Sequence, residues 1–184
     1  MPFTPFHFGP SALVSLPLRK YIDVPVFVLA NVVIDFEPLV VIVFNLKYRS
    51  HEHFHNFLVG SLVGILWGVI AYFGRGILKK IMRMLKLPYT ASFRKMLISA
   101  VLGVWFHVIV DSIGYRDVKP FYPLDFNPMI RIMSRSMVYL VCMLSFIPAI
   151  MMVYVIRVLS HKRFLYRRRK RKFTYKDENR GDET

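Results

Sequence analysis

Four apolar runs dominate the chain, and each is about as long as a bilayer is thick. They lie at roughly Val24–Leu46, Phe54–Phe73, Met96–Tyr115 and Met137–Leu159. A helix needs about 20 apolar residues to cross hydrocarbon. Within lipid every backbone polar group must be satisfied inside the chain, which leaves helices as the natural solution for runs of this kind. With 55% hydrophobic residues and a mean hydropathy of +0.41, the chain is too apolar for a small soluble domain. The expected fold is an all-α membrane protein: a compact bundle of four transmembrane helices plus an N-terminal helix that is partly inserted or spanning. Residues 1–160 are read as the bundle and residues 161–184 as a basic tail.

The charge is concentrated. Eight Lys/Arg fall within Lys162–Lys172, and seven more within Arg75–Lys95, a stretch without an acid. Such clusters mark nucleic-acid binding or the cytoplasmic face of a membrane, and beside apolar runs the membrane reading is the simpler one, with nucleic acid unlikely as a partner. The positive-inside rule then puts both clusters, and the C-terminus, in the cytoplasm of an integral cell-membrane protein. Gly76–Leu87 mixes apolar and basic residues ahead of Pro88 and reads as an amphipathic helix on the inner leaflet. The run Arg167–Lys172 is expected to attract anionic inner-leaflet lipids. Thr4–Pro5 reads as a helix start, so Pro5–Leu18 is expected to be helical, spanning or interfacial. The start has no basic n-region and no small-residue cleavage site, so the first residues are expected to be retained. Cys142 is the single cysteine, which excludes an intrachain disulfide and a thiolate cage.

Ionisable residues inside apolar runs are expensive and mark functional sites. Here they are acids and histidines, the donor types of a divalent-metal site. His107 and Asp111 are four apart, so a helix puts them on one face; packed helices joined by a His–Asp hydrogen bond would show the same spacing. Asp117 follows in a Pro-rich loop as a further ligand or as a solvated acid. His51, His53 and His55 form H-E-H-F-H at a run's mouth, with His51 and His55 on one face if the helix has begun. This is not the H-E-x-x-H zinc-protease pattern. Asp35 and Glu37 diverge by about 200° on an ideal helix, and Pro38 disfavours helix at Glu37. Asp35 is therefore read as a ligand, and Glu37 as a second ligand or general base. Under the expected topology His7, His51, His55, His107, Asp111 and Asp117 share the outer side, with Asp35 in the outer half.

The order of motifs is recognisable. TPFHFGPSAL, VLANVVIDFEPL, HEHFHNFLVG and GVWFHVIVDSIGYRDVKPFYPLD together resemble the YdjM-like family of inner-membrane-associated metal-dependent hydrolases, over roughly Met1–Asp125. The resemblance implies that His7, Asp35, His55, His107 and Asp111 are metal ligands. The chain departs from the family pattern in having Ile34 ahead of Asp35 and Phe54-His55-Asn56 for Thr-His-Ser. A more distant likeness in ligand order is to zinc-dependent phospholipase C and single-strand nucleases, where a histidine is usual at the position of Asp117.

These readings imply a metal-dependent hydrolase using zinc, with manganese as the alternative. It would act on a phosphoester in a lipid or lipid-linked substrate, with Asp35 and Glu37 as the catalytic acids. Arg116, Lys119 and Arg131 are candidates for attracting a phosphate headgroup. The competing readings are a membrane scaffold with a structural or degenerate metal site and, less favoured, a small transporter.

Overall fold

The computed structural model describes residues 5–36, 44 and 55–162. Among these there is helix and no strand. A 3-10 turn at Pro5–His7 leads into α1 (Phe8–Ser15), followed by α2 (Val24–Ile34), α3 (Phe57–Phe73), α4 (Arg75–Met84) and α5 (Phe93–Gly114). The last helix, α6 (Arg135–Lys162), is interrupted at Ser145, whose hydroxyl bonds back to Cys142 O.

By length and composition α5 and α6 can each cross a membrane, and the bent pair α3–α4 makes a third candidate span. The all-helical class therefore holds, and two or three helices among the described residues are apolar enough to span a membrane; four spans are not shown. The expected first span becomes the short apolar helix α2, and most of its second half lies outside the described residues. At eight residues, α1 rises only about 12 Å, short of a span. The basic tail is represented only by His161 and Lys162 at the end of α6; Arg167–Lys172 lies outside the described residues.

Helix starts follow local chemistry. Asp23, Asn56, Ser92 and Ser134 each cap the helix they precede, accepting from a backbone N–H three residues on, which satisfies donors that a helix start leaves without a partner. α4 ends where Lys86 takes a left-handed backbone (φ 57°) and Leu87 N–H bonds back to Met82 O, ahead of Pro88. It leaves α3 at 72°. It buries Leu78 and Met82 and exposes Ile77, Ile81 and Met84 among its lysines. This is the amphipathic helix expected at Gly76–Leu87.

Packing centres on α5, which contacts α3 along one side and α2 along another. Gly60, Gly64 and Gly68 form a buried stripe on α3. A Cβ at Gly64 would stand 2.9 Å from Val101 Cα, and one at Gly68 would stand 2.9 Å from Leu97 Cα. Small residues at this spacing let two backbones approach where lipid supplies no hydrophobic drive between helices. On the other side of α5, a Cβ at Gly103 would meet Phe27 O at 2.5 Å. The interior seam is apolar, formed by Val26, Ala30, Ile34, Met96, Ala100, Val104 and Val108. Outward, α6 presents Leu140, Met143, Leu144, Ile147, Ile150, Met151 and Val155, a surface suited to hydrocarbon.

At the end of the bundle near the start of α5, Asp23 is buried beneath Tyr89. The Tyr89 hydroxyl reaches its two carboxylate oxygens at 2.9 and 3.2 Å, and Asp23 N–H donates to Ser99 Oγ. Burial pushes the Asp23 carboxyl above its ordinary range, against the opposing pull of Tyr89, the Val26 N–H and Lys95. Burial, then the neighbouring carboxylate, holds the Tyr89 hydroxyl well above its usual value.

Candidate metal centre

The other end of the α5 contact region holds the polar cluster. His107 and Asp111 project from one face of α5, as their spacing predicts. Asp35 sits at the C-terminal cap of α2. His55 lies just ahead of the cap Asn56, so α3 begins only after it; the face that His51 was expected to share with it lies outside the described residues. His7 closes the 3-10 turn. All five are buried, none more than 4% exposed.

Four ligand atoms converge. Asp35 Oδ1 is 3.5 Å from His55 Nε2 and 3.2 Å from His107 Nε2. Asp111 Oδ2 is 3.7 Å from His55 Nε2 and 3.1 Å from His107 Nε2. One ligand atom from each of the four residues lies within 4.8 Å of the others. Four donors held about 2.0–2.2 Å from a zinc-like ion in a tetrahedron stand about 3.3–3.6 Å apart, so the observed edges fit such an ion. Asp111 turns its other oxygen, Oδ1, toward His7 Nε2 at 3.3 Å, and the His7 ring lies edge-on to that of His107.

The electrostatics favour a cation. Two buried carboxylates carry a charge of about −2, which is costly unless paired. They also sit at or near the C-terminal ends of α2 and α5, where the helix dipole adds negative potential.

Asn31 decides how His107 presents itself. Its amide lies 2.7 Å from Val28 O and 2.9 Å from Ser11 Oγ. A backbone carbonyl only accepts, so that end is the NH2 group, which leaves Oδ1 facing His107 Nδ1 at 3.2 Å. Nδ1 therefore carries the hydrogen and donates. In the neutral ring the lone pair is then on Nε2, aimed at two carboxylate oxygens. Nε2 stands 3.2 and 3.1 Å from those oxygens, the spacing of donors around a shared cation. A metal cation satisfies the ring and both acids together, with Asn31 fixing the tautomer as metal-ligating histidines usually require.

No family model, curated protein or solved structure matches the chain. The centre joins Asp35, His55, His107 and Asp111, with His7 alongside Asp111. Asp117 stands apart from the converging atoms and lines a groove beyond α5. Glu37, His51 and His53 lie outside the described residues. Sequence reading passed over Asn31 and Ser11. Their signal was present in Asn31 as the lone polar side chain of VPVFVLANVVI, but an uncharged amide does not stand out as acids and histidines do.

A loop pins the centre from above. Phe57 N–H donates to Pro120 O at 2.9 Å, and the Phe57 and Phe121 rings pack edge to face. Asn127 Nδ2 bonds Ser112 O and Val118 O, tying the loop to the end of α5.

Proposed function

We propose that this chain is a membrane-embedded metal-dependent hydrolase acting on a phosphoester in a lipid or lipid-linked substrate. The observation that carries the reading is the convergence of Asp35, His55, His107 and Asp111 on one buried point among apolar helices. The resemblance of the motif order to that of YdjM-like proteins points to the same reaction class. Bound there, a divalent ion, zinc or alternatively manganese, supplies a Lewis acid that polarises a phosphoryl oxygen and acidifies water. Asp35, His55, His107 and Asp111 hold it, and His7 positions Asp111 from behind. Asn31 keeps the His107 Nε2 lone pair available. Glu37, two residues beyond Asp35, takes the proton-accepting role. The site works in the outer half of the cell membrane, with the C-terminus cytoplasmic and the basic tail on anionic lipid.

The depth of burial favours a second reading. Ligands this enclosed suit a metal that staples three segments of a scaffold, as structural sites are closed whereas catalytic ones keep a position open.

One experiment separates them. The purified protein is assayed for zinc and manganese, and for release of phosphate or headgroup from phospholipid micelles, beside a His107→Ala/Asp111→Ala variant. A hydrolase binds about one or more equivalents and loses metal and turnover together in the variant. Metal without turnover on any phosphoester identifies the staple. A full metal load in the double variant would overturn both.

A further inference from the structure

Beyond the last turn of α5 the surface opens into a groove of about 550 Å³ walled by Arg116, Arg131 and Arg135. A neighbouring groove of about 270 Å³ shares Arg116, Ile130 and Arg131, so these residues stand between the two. Against the three arginines the first groove sets one acid, Asp117, an excess of two positive charges (3 − 1). In the second, Lys119 is already held by Asp125 at 3.1 Å. Among the described residues neither Arg116 nor Arg131 forms an ion pair.

All three arginines are exposed, and two features bear on how they are presented. Arg135 lies over the Tyr115 ring, 4.7 Å from its centroid, and the Tyr115 hydroxyl is 2.6 Å from that of Tyr139. Arg131 takes a left-handed backbone, φ 69°, which costs an L-residue free energy and recurs where a side chain is placed for a purpose. Gly114, in the groove wall, is three residues past Asp111, about 4.5 Å along the helix axis. The groove thus opens one turn from the metal centre.

We propose that Arg116, Arg131 and Arg135 form a docking site for a phosphate group, the charged end of the molecule on which the buried centre acts. This rests on the hydrolase reading for its purpose, though not for its binding. Guanidinium groups present paired N–H donors that match phosphate oxygens. The phosphate can belong to a lipid headgroup or to a soluble phosphomonoester.

The test measures binding of phosphatidate in mixed micelles, and of glycerol phosphate in solution, to the full detergent-solubilised chain. Arg131→Gly is the informative variant, because it removes the guanidinium while suiting the left-handed backbone, so its thermal midpoint should not fall. Arg131→Gly and Arg116→Gln should each weaken phosphate binding about 10- to 100-fold, the effect of losing charge-assisted hydrogen bonds. Arg83→Gln, on α4 away from the groove, should leave it unchanged. Binding of phosphatidate alone assigns a lipid source, and binding of glycerol phosphate a soluble one. Binding that survives His107→Ala/Asp111→Ala but not the arginine substitutions supports the groove even if the hydrolase reading fails. Binding lost with the metal yet untouched by the arginine substitutions, or no binding of either probe, overturns it.

Discussion

Replacing Asn31 with leucine tests the argument that His107 is oriented from behind. Leucine keeps roughly the side-chain volume and removes three contacts: to Ser11 Oγ at 2.9 Å, to Val28 O at 2.7 Å and to His107 Nδ1 at 3.2 Å. His107 is fully buried, so its Nδ1–H loses a partner that water does not replace, at about 1–3 kcal/mol. Loss of such an outer partner typically weakens metal affinity about 10- to 100-fold, or about 1.4–2.7 kcal/mol. The assay is competition for zinc against a chromophoric chelator in detergent at fixed pH. Asn31→Asp is the companion variant: it keeps an acceptor for Nδ1 but sets a carboxylate oxygen against Val28 O, where the amide now donates at 2.7 Å, so it should keep the ring pattern while lowering the thermal midpoint. Long-range 1H–15N spectra of the histidine rings separate the retained hydrogen bond from the added charge, since only the leucine variant should lose the Nδ1-protonated pattern. Native affinity in Asn31→Leu, with its ring pattern unchanged, would refute the reasoning.

The close approach of α2 to α5 predicts that Gly103→Ala destabilises the bundle by about 1–3 kcal/mol or more, the cost of overpacking. Its new Cβ would meet Phe27 O at 2.5 Å and Ala30 Cβ at 2.7 Å, and a backbone atom cannot swing aside; thermal or SDS unfolding reads the loss, and a native midpoint would disprove the packing. The raised Asp23 carboxyl predicts a pH effect at the other end. Its folded form binds a proton more tightly than the unfolded chain, whose value is near 3.8, so its contribution to stability falls as pH rises through 3.8 to the raised value and is level above that. Asp23→Asn should flatten the thermal midpoint across that window, and an unchanged slope would count against the burial.

Much of the site was legible because charge in an apolar run is conspicuous. His107 and Asp111 share a helical face by spacing alone, and the helix start at Asn56 falls close to the expected Phe54. Other features were hidden for physical reasons. Gly60, Gly64 and Gly68 count against a helix on propensity, where each glycine costs about 0.8–1.0 kcal/mol, yet in the bundle all three are buried and Gly64 and Gly68 let α3 close on α5. Periodicity also does not reveal where α2 stops: Asp35 ends it at a cap, and the apolar run continues past that point. Of the groove arginines, Arg116 and Arg131 were legible as basic residues of the outer loop, whereas Arg135, at the start of α6, joins them only through the fold.

The four residues of the candidate centre are spread along the chain from Asp35 to Asp111, and this has a consequence for biogenesis. A nascent chain that stops short of α5 holds only Asp35 and His55 of the set, and the two residues that complete it arrive together. Fifty-two residues separate His55 from His107 (107 − 55), about 3–10 s of synthesis at 5–20 residues per second. On the metal-centre reading, capture of the ion would be a timestamp for the moment α5 packs against α2 and α3. Chains stalled at successive lengths should then gain chelator-resistant metal in one step, once α5 has left the ribosome and joined the bundle.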